Sequence, residues 1–270
     1  MVMTILLMLL FFAMSIPVAI ALGMAPLPVL IERGLPLIAI PQTMFEAMDS
    51  FALMAVPFFV LAGRIMQTGG IARRLIELGL ALVGWVRGGL GSAAVLTTMF
   101  FSTISGSSSA TTAAIGSVMI PEMERKGYPR AFASSVIAAS GELGVILPPS
   151  VPMIIYAMLT NTSVASLFLA GVIPGIMIGL SLILTVMVMA RRQGFGEGYA
   201  VNPREWLTGV LAAFRKAFLS LLMPIIILGG IYGGFFTATE AAVIAVAYAF
   251  LVSKFIYREI KWSEVPEILW

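Results

Sequence analysis

The sequence predicts an all-α, polytopic helical membrane protein, and three observations carry that prediction. Of the 270 residues, 60% are hydrophobic and 11% charged, with a mean hydropathy of +1.05. A soluble domain carries about 25% charged residues and about 45–50% apolar ones. The charges are also segregated, since none falls within 2–31, 88–121, 143–190 or 217–239. A spanning helix needs about 20 apolar residues at about 1.5 Å each, so each run holds at least one membrane segment and 143–190 holds more than one. Cysteine and histidine are both absent, which excludes disulfide frameworks, zinc sites, Ser-His-Asp triads and thiol chemistry.

The net charge of +3 and the pI near 9.4 do not point to nucleic acid. The cations sit in short loops between apolar runs, the pattern of positive-inside sorting. Four clusters hold all of them except Arg33: Arg64 to Arg87, Arg125 to Arg130, Arg191 to Lys216, and Lys254 to Lys261. With all four clusters cytoplasmic, each intervening segment enters and leaves by one face.

The elements follow in order. Residues 2–21 read as a span, too long and too poor in basic residues at its start for a cleaved signal peptide. A second span is expected over 48–63, with an irregularity at Val56-Pro57. Residues 71–86 contain Arg73, Arg74 and Glu77 and read as an interfacial helix, with a span as the alternative. Gly63, Gly69, Gly70, Gly88 and Gly89 read as helix ends.

Residues 88–121 are too few for two crossings, which need about 40 residues plus a turn. A re-entrant helical hairpin fits, with its midpoint between Ile104 and Ser105, inside the polar run Ser102 to Thr112. The segment 131–190 accommodates two crossings. The first is a broken helix over 131–160, interrupted at Leu147-Pro-Pro-Ser-Val-Pro152, because proline lacks an N–H and clashes with the preceding turn. Thr160 to Ser163 form the far-side turn and 164–190 a return helix. Asn202 and Pro203 open a short interfacial helix ending at Arg215 and Lys216. Two further apolar segments, 217–232 and 241–253, flank Gly233 to Glu240.

Unwound backbone at membrane depth is tolerated only where it lines a cavity or is buried in protein. Broken helices free carbonyls for cations, while half-helix amino termini face anions. The tip Ser105-Gly106-Ser107-Ser108-Ser109 and the break Pro148-Pro149-Ser150 are both such places. Their neutral oxygens suit a hard monovalent cation such as Na⁺, and the lack of a carboxylate argues against Ca²⁺. Close packing is the alternative for Ala110, Thr111, Ala113, Ala114 and Gly116. Glu142 either serves the site or bonds amides freed at the break. Glu240, after Thr237 and Thr239, reads as a first-turn acid. Neither acid has an evident catalytic partner, and no Walker A motif occurs, so no enzyme is expected.

Several motifs resemble the large membrane subunit of TRAP (tripartite ATP-independent periplasmic) transporters. They are Gly106-Ser-Ser-Ser-Ala-Thr-Thr-Ala-Ala-Ile-Gly116, Pro121 to Tyr128, Gly144-Val-Ile-Leu-Pro-Pro-Ser150, Leu167 to Gly175 and Thr237 to Ala242. Pro57 to Gly63 and Val83 to Leu90 agree, so the resemblance covers nearly the whole chain in order. It implies an elevator-type inverted-repeat transporter fold, with 1–200 as the first transport repeat and 201–270 as an interfacial helix and the start of the second. It implies Na⁺-coupled uptake of a small organic anion, a carboxylate or sulfonate, across the bacterial inner membrane. The implied partners are a small four-helix membrane subunit and a periplasmic solute-binding protein. By carry-over, Ser105, Gly106, Ser107, Gly144 and Pro148 belong to a Na⁺ site, and Ser108, Ser109, Thr111, Pro149 and Ser150 to the anion site. The family's subunit is longer, so the expectation is a partial chain, or one whose other half is separate, unable to transport alone. An ion channel filtered by the serine-rich tip, and a scaffold without transport, are the competing readings.

Overall fold

The computed structural model describes residues 2–196, 198 and 201–269. Among them every regular element is helical, and the chain divides into two compact units at Ser50/Phe51. In the first unit, α1 (Val2–Ala13) stops well before the expected end of its span, and α2 (Val18–Met24) starts anew. Pro17 is the cause. It has no amide to continue the ladder and disfavours helical backbone at Ile16, and Ser15 turns the chain with a φ of 59°. Two short helices, α3 (Leu27–Glu32) and α4 (Ala39–Met48), complete the unit.

The second unit begins with α5 (Ala55–Thr68), not at Met48 as expected. Pro57 lies in its first turn, where no amide is needed, so it opens the helix instead of disturbing it. Gly63, expected at a helix end, lies inside α5. Gly69 closes α5 and Gly70, at φ +73°, opens α6 (Ile71–Val83), with a bend of 69° between the two helices. The amphipathic pattern of α6 is plain: Ile71, Leu75 and Leu78 are buried while Arg73 faces out.

The predicted hairpin is present as α7 (Gly89–Ser105) and α8 (Ser108–Arg125), joined by Gly106 and Ser107. Its second arm runs on past the expected limit at Pro121, which α8 absorbs without ending. The broken helix follows as α9 (Arg130–Gly141), α10 (Leu143–Ile146) and α11 (Val151–Thr160), with a bend of 41° between the parts. Asn161, at φ 53°, and the N-cap Ser163 make the predicted turn into α12 (Val164–Gln193).

One expectation fails outright. The short interfacial helix and the apolar segment after it are a single helix, α13 (Pro203–Tyr232). No glycine or proline separates Phe214 from Ala217, and Lys216 holds Glu77 of α6 at 3.1 Å, so charge alone does not end the helix. Helix α14 (Ala238–Leu251) starts with a capping box in which the Glu240 carboxylate accepts from the Thr237 amide and hydroxyl, both at 2.8 Å. That is the first-turn role expected for Glu240. A π-helical turn over Val252–Ile256, a 3₁₀ turn over Trp262–Glu264 and α15 (Val265–Leu269) complete the described chain. Helices α12 and α13, and α14 with its π turn, are long and apolar enough to cross a membrane; counting each bent pair as one span raises the number to five.

Candidate functional site

The site forms where the turn of the α7–α8 hairpin meets the break between α10 and α11. Gly106 takes a left-handed φ of +60°, open to glycine at little cost, and its amide still bonds the Ser102 carbonyl at 3.2 Å. Ser107 is extended and caps α8, its hydroxyl accepting from the Ala110 amide at 3.4 Å. Across the turn, the buried hydroxyls of Ser105 and Thr111 lie 2.5 Å apart.

The proline run frees several carbonyls. Pro148, Pro149 and Pro152 supply no amide, so the carbonyls of Gly144, Val145 and Pro148 lose their helical donors. The Val151 amide turns instead to the Gly106 carbonyl at 3.1 Å, and the Met153 amide to the Ser150 hydroxyl at 3.4 Å. Leu147 and Pro149 thereby lose theirs. Among the described residues only Val145 recovers a partner, the Ser150 hydroxyl at 2.6 Å.

Glycine lets the two backbones meet. A Cβ on Gly106 would stand 2.9 Å from the Pro149 carbonyl oxygen. One on Gly144 would stand 2.8 Å from the Ser107 carbonyl and 2.9 Å from the Ser108 amide nitrogen. From the other side, one on Gly63 would stand 3.1 Å from the Ser105 Cα. Three helices thus approach a single turn at backbone distance, and this explains why Gly63 sits inside α5.

All ten residues singled out in the sequence lie at this junction. Ser105, Gly106, Thr111, Gly144, Pro148, Pro149 and Ser150 are buried, Ser107 and Ser108 half-buried, and Ser109 exposed. Their hydroxyls are not equally free. Those of Thr111 and Ser150 are engaged with Ser105 and Val145, whereas Ser108 makes no side-chain hydrogen bond among the described residues. The Ser102 hydroxyl, one turn before Gly106, is buried without a partner among them. A second buried pair, Ser140 and Thr98 at 3.4 Å, ties α9 to α7. The sequence reading passed over Thr98 and Ser140, because an isolated hydroxyl on a small-residue face looks like packing. Glu142 is exposed and bonds none of the freed amides among the described residues, so the structural alternative for it is not realised.

A helical hairpin whose tip rests on a proline-broken helix, within a set of helices fit to cross a bilayer, defines a polytopic membrane transporter of the broken-helix class. The comparisons make this specific. Residues 5–270 match the family model described as "Tripartite ATP-independent periplasmic transporter, DctM component", and the chain belongs to that family. It is 48% identical over 226 residues to the C4-dicarboxylate TRAP transporter large permease protein DctM of Pseudomonas aeruginosa, covering 84% of this chain and 52% of that protein. It is 41% identical over 253 residues to the isethionate TRAP transporter permease protein DctMQ of Oleidesulfovibrio alaskensis, covering 93% of this chain and 39% of that protein. A third relative, the sialic acid TRAP transporter permease protein SiaT of Haemophilus influenzae, is 37% identical over 222 residues, 82% of this chain and 35% of that one. The chain spans about half the length of the first two DctM relatives it matches, 52% and 54%. These relatives are named as permeases, not enzymes.

Proposed function

We propose that this chain supplies the first transport repeat, 1–200, and the start of the second, 201–270, of a TRAP-type large permease in the bacterial inner membrane. There it couples Na⁺ entry to uptake of a small carboxylate or sulfonate. A periplasmic binding protein delivers the anion and a small membrane subunit completes the complex, in keeping with a relative named as a DctMQ permease. The observation that carries the reading is the docking of the Gly106 turn on the Pro148-Pro149 break, which gathers freed neutral oxygens in a buried place.

Those oxygens divide by chemistry. The Pro149 and Pro148 carbonyls accept only, so they suit the cation, together with the hydroxyls of Ser105 and Ser102. The first amides of α8, at Ser108 and Ser109, have no carbonyl of their own turn to bond. They sit at the positive end of an 18-residue helix, where an anionic group is favoured. At α11 the corresponding donors are already taken by Gly106 and Ser150. The anion therefore belongs on the α8 side, with the Ser108 and Ser109 hydroxyls as further donors. A cation and an anion held close together away from water attract each other far more strongly than in solution, so each raises the other's occupancy.

The test is uptake by the complete transporter in liposomes under an inward Na⁺ gradient. A hydrogen bond or ligand oxygen contributes about 0.5–1.5 kcal/mol, and 1.4 kcal/mol is a factor of ten. S102A and S105A should each raise the half-saturating Na⁺ concentration about three- to tenfold. Uptake indifferent to Na⁺, or an unchanged Na⁺ requirement in both variants, refutes the proposal.

A further inference from the structure

The corner between α5 and α6 bends by 69°. Gly69-Gly70 alone does not fix that angle, because two successive glycines leave the backbone free. A distant part of the chain fixes it. Beyond α14, the π turn over Val252–Ile256 seats Ser253 on Gly69, where any Cβ would collide with the Ser253 hydroxyl. Arg258 then takes a left-handed φ of 55°, and the Glu259 amide returns to the Ser253 carbonyl at 3.1 Å. That reversal is costly for an L-residue. Its result is to lay the Glu259 carboxyl over Gly70, where a Cβ would stand 3.0 Å from the carboxyl carbon.

A polar clip closes on the corner. Glu259 Oε1 accepts from Arg73 at 2.9 Å and from Arg74 at 3.3 Å. Arg74 also donates to the Gly70 carbonyl at 2.9 Å, and its guanidinium lies 3.7 Å from the centroid of the Tyr257 ring, a cation–π contact. The Tyr257 hydroxyl donates to the Lys216 carbonyl of α13 at 3.1 Å. The two ion pairs are not equivalent, since the Arg73 side chain is 64% exposed, Arg74 16% and Glu259 29%. An exposed pair contributes little. Removing the carboxylate would instead leave the Arg74 charge half-buried and unanswered.

The angle matters because both helices grip α7. Near the turn, Gly63 of α5 meets the Ser105 Cα. Farther down, Gly79 of α6 receives Thr97, and a Cβ there would stand 2.6 Å from the Thr97 hydroxyl and 3.0 Å from the Ala93 carbonyl oxygen. The same hydroxyl donates to the Leu75 carbonyl at 3.3 Å. Thr97 and Ser105 are separated by about 12 Å along the helix. A helix held at two such points cannot keep both contacts if the corner opens.

We infer that Arg74 and Glu259 are positioning residues, which hold the α5–α6 bend at which α7 carries its turn onto the proline break. Neither side chain belongs to the turn. The inference rests on the transport reading of that turn for its effect on uptake, and not for its effect on the bend.

Electron–electron double resonance reads the bend in the complete transporter, with spin labels at Val60→Cys and Trp85→Cys and any cysteine outside 1–270 replaced. Both positions are exposed, one on α5 and one just beyond α6. With the clip intact the labels should give one narrow distance. E259Q should broaden it in Na⁺-free buffer and cut Na⁺-driven uptake about fivefold, the low end of coupling between separate sites. E259D, which keeps the charge, should restore uptake to within about twofold of the parent. Saturating Na⁺ should narrow the E259Q distribution again, because an ion bound at the docked turn favours the docked bend. A narrow distance in both E259Q and R74Q, or parental uptake by both, refutes the positioning role. A broadened distance with lowered uptake that Na⁺ leaves unchanged upholds the clip and counts against the Na⁺ site alone.

Discussion

Uptake by a Gly144→Val variant is expected to fall about 5- to 150-fold while the helices remain intact. Gly144 lies where α10 passes the hairpin turn, and any Cβ there would come within 2.8 Å of the Ser107 carbonyl group. The obstruction is main chain on both sides, so no rotamer relieves it, and valine adds two methyl groups to the conflict. Overpacking of this kind costs about 1–3 kcal/mol. Because the strain exists only while the turn is seated on the break, it opposes the docked state and leaves each helix's own bonding untouched. At 1.4 kcal/mol per factor of ten, that cost gives the stated range. Far-ultraviolet circular dichroism should stay unchanged, and Na⁺-driven uptake by the complete transporter should collapse. Wild-type uptake by this variant would mean that the close approach has no part in transport.

The second large effect is expected at Gly106, where two penalties act together. An L-residue in the left-handed region costs about 1–2 kcal/mol, and the new Cβ would lie 2.9 Å from the Pro149 carbonyl oxygen. Gly234, in the turn between α13 and α14, separates the two. It has a φ of +71°, yet a Cβ there meets nothing within 4 Å. Gly106→Ala should therefore lower thermal stability more than Gly234→Ala does, and only Gly106→Ala should weaken uptake tenfold or more. Equal uptake by the two variants would assign the effect to backbone strain alone and remove the docking contact from the account.

Much of this arrangement was legible in the residues. The hairpin followed from charge-free length, with its turn found two residues from the arithmetic midpoint. The break followed from three prolines within five residues, and the Glu240 cap from its spacing to Thr237. What escaped the sequence has a common physical origin. Hydropathy reports composition and not continuity, so residues 2–21 looked like one span although Pro17 divides them. Conversely, 203–232 looked like two elements although Arg215 and Lys216 sit at the helix surface and break nothing. Gly63 was misplaced because a glycine that ends a helix and a glycine that admits a neighbouring backbone read alike until the neighbour, Ser105, is known. The choice between bound and free hydroxyls, such as Thr111 against Ser102, depends on rotations and distances that no linear pattern encodes.

The central claim is that 88–125 enters the membrane, turns at Gly106 on the proline break, and returns to the face it left. Residues 1–270 contain no cysteine, so single cysteines at Arg87 and Arg125, with any cysteine outside this range replaced, can be labelled by a membrane-impermeant maleimide in sealed vesicles of known orientation. Both positions should react from the cytoplasmic face and neither from the periplasmic one. Labelling of Arg87→Cys and Arg125→Cys from opposite faces would make α7 and α8 a crossing instead of a returning hairpin, and would contradict the account.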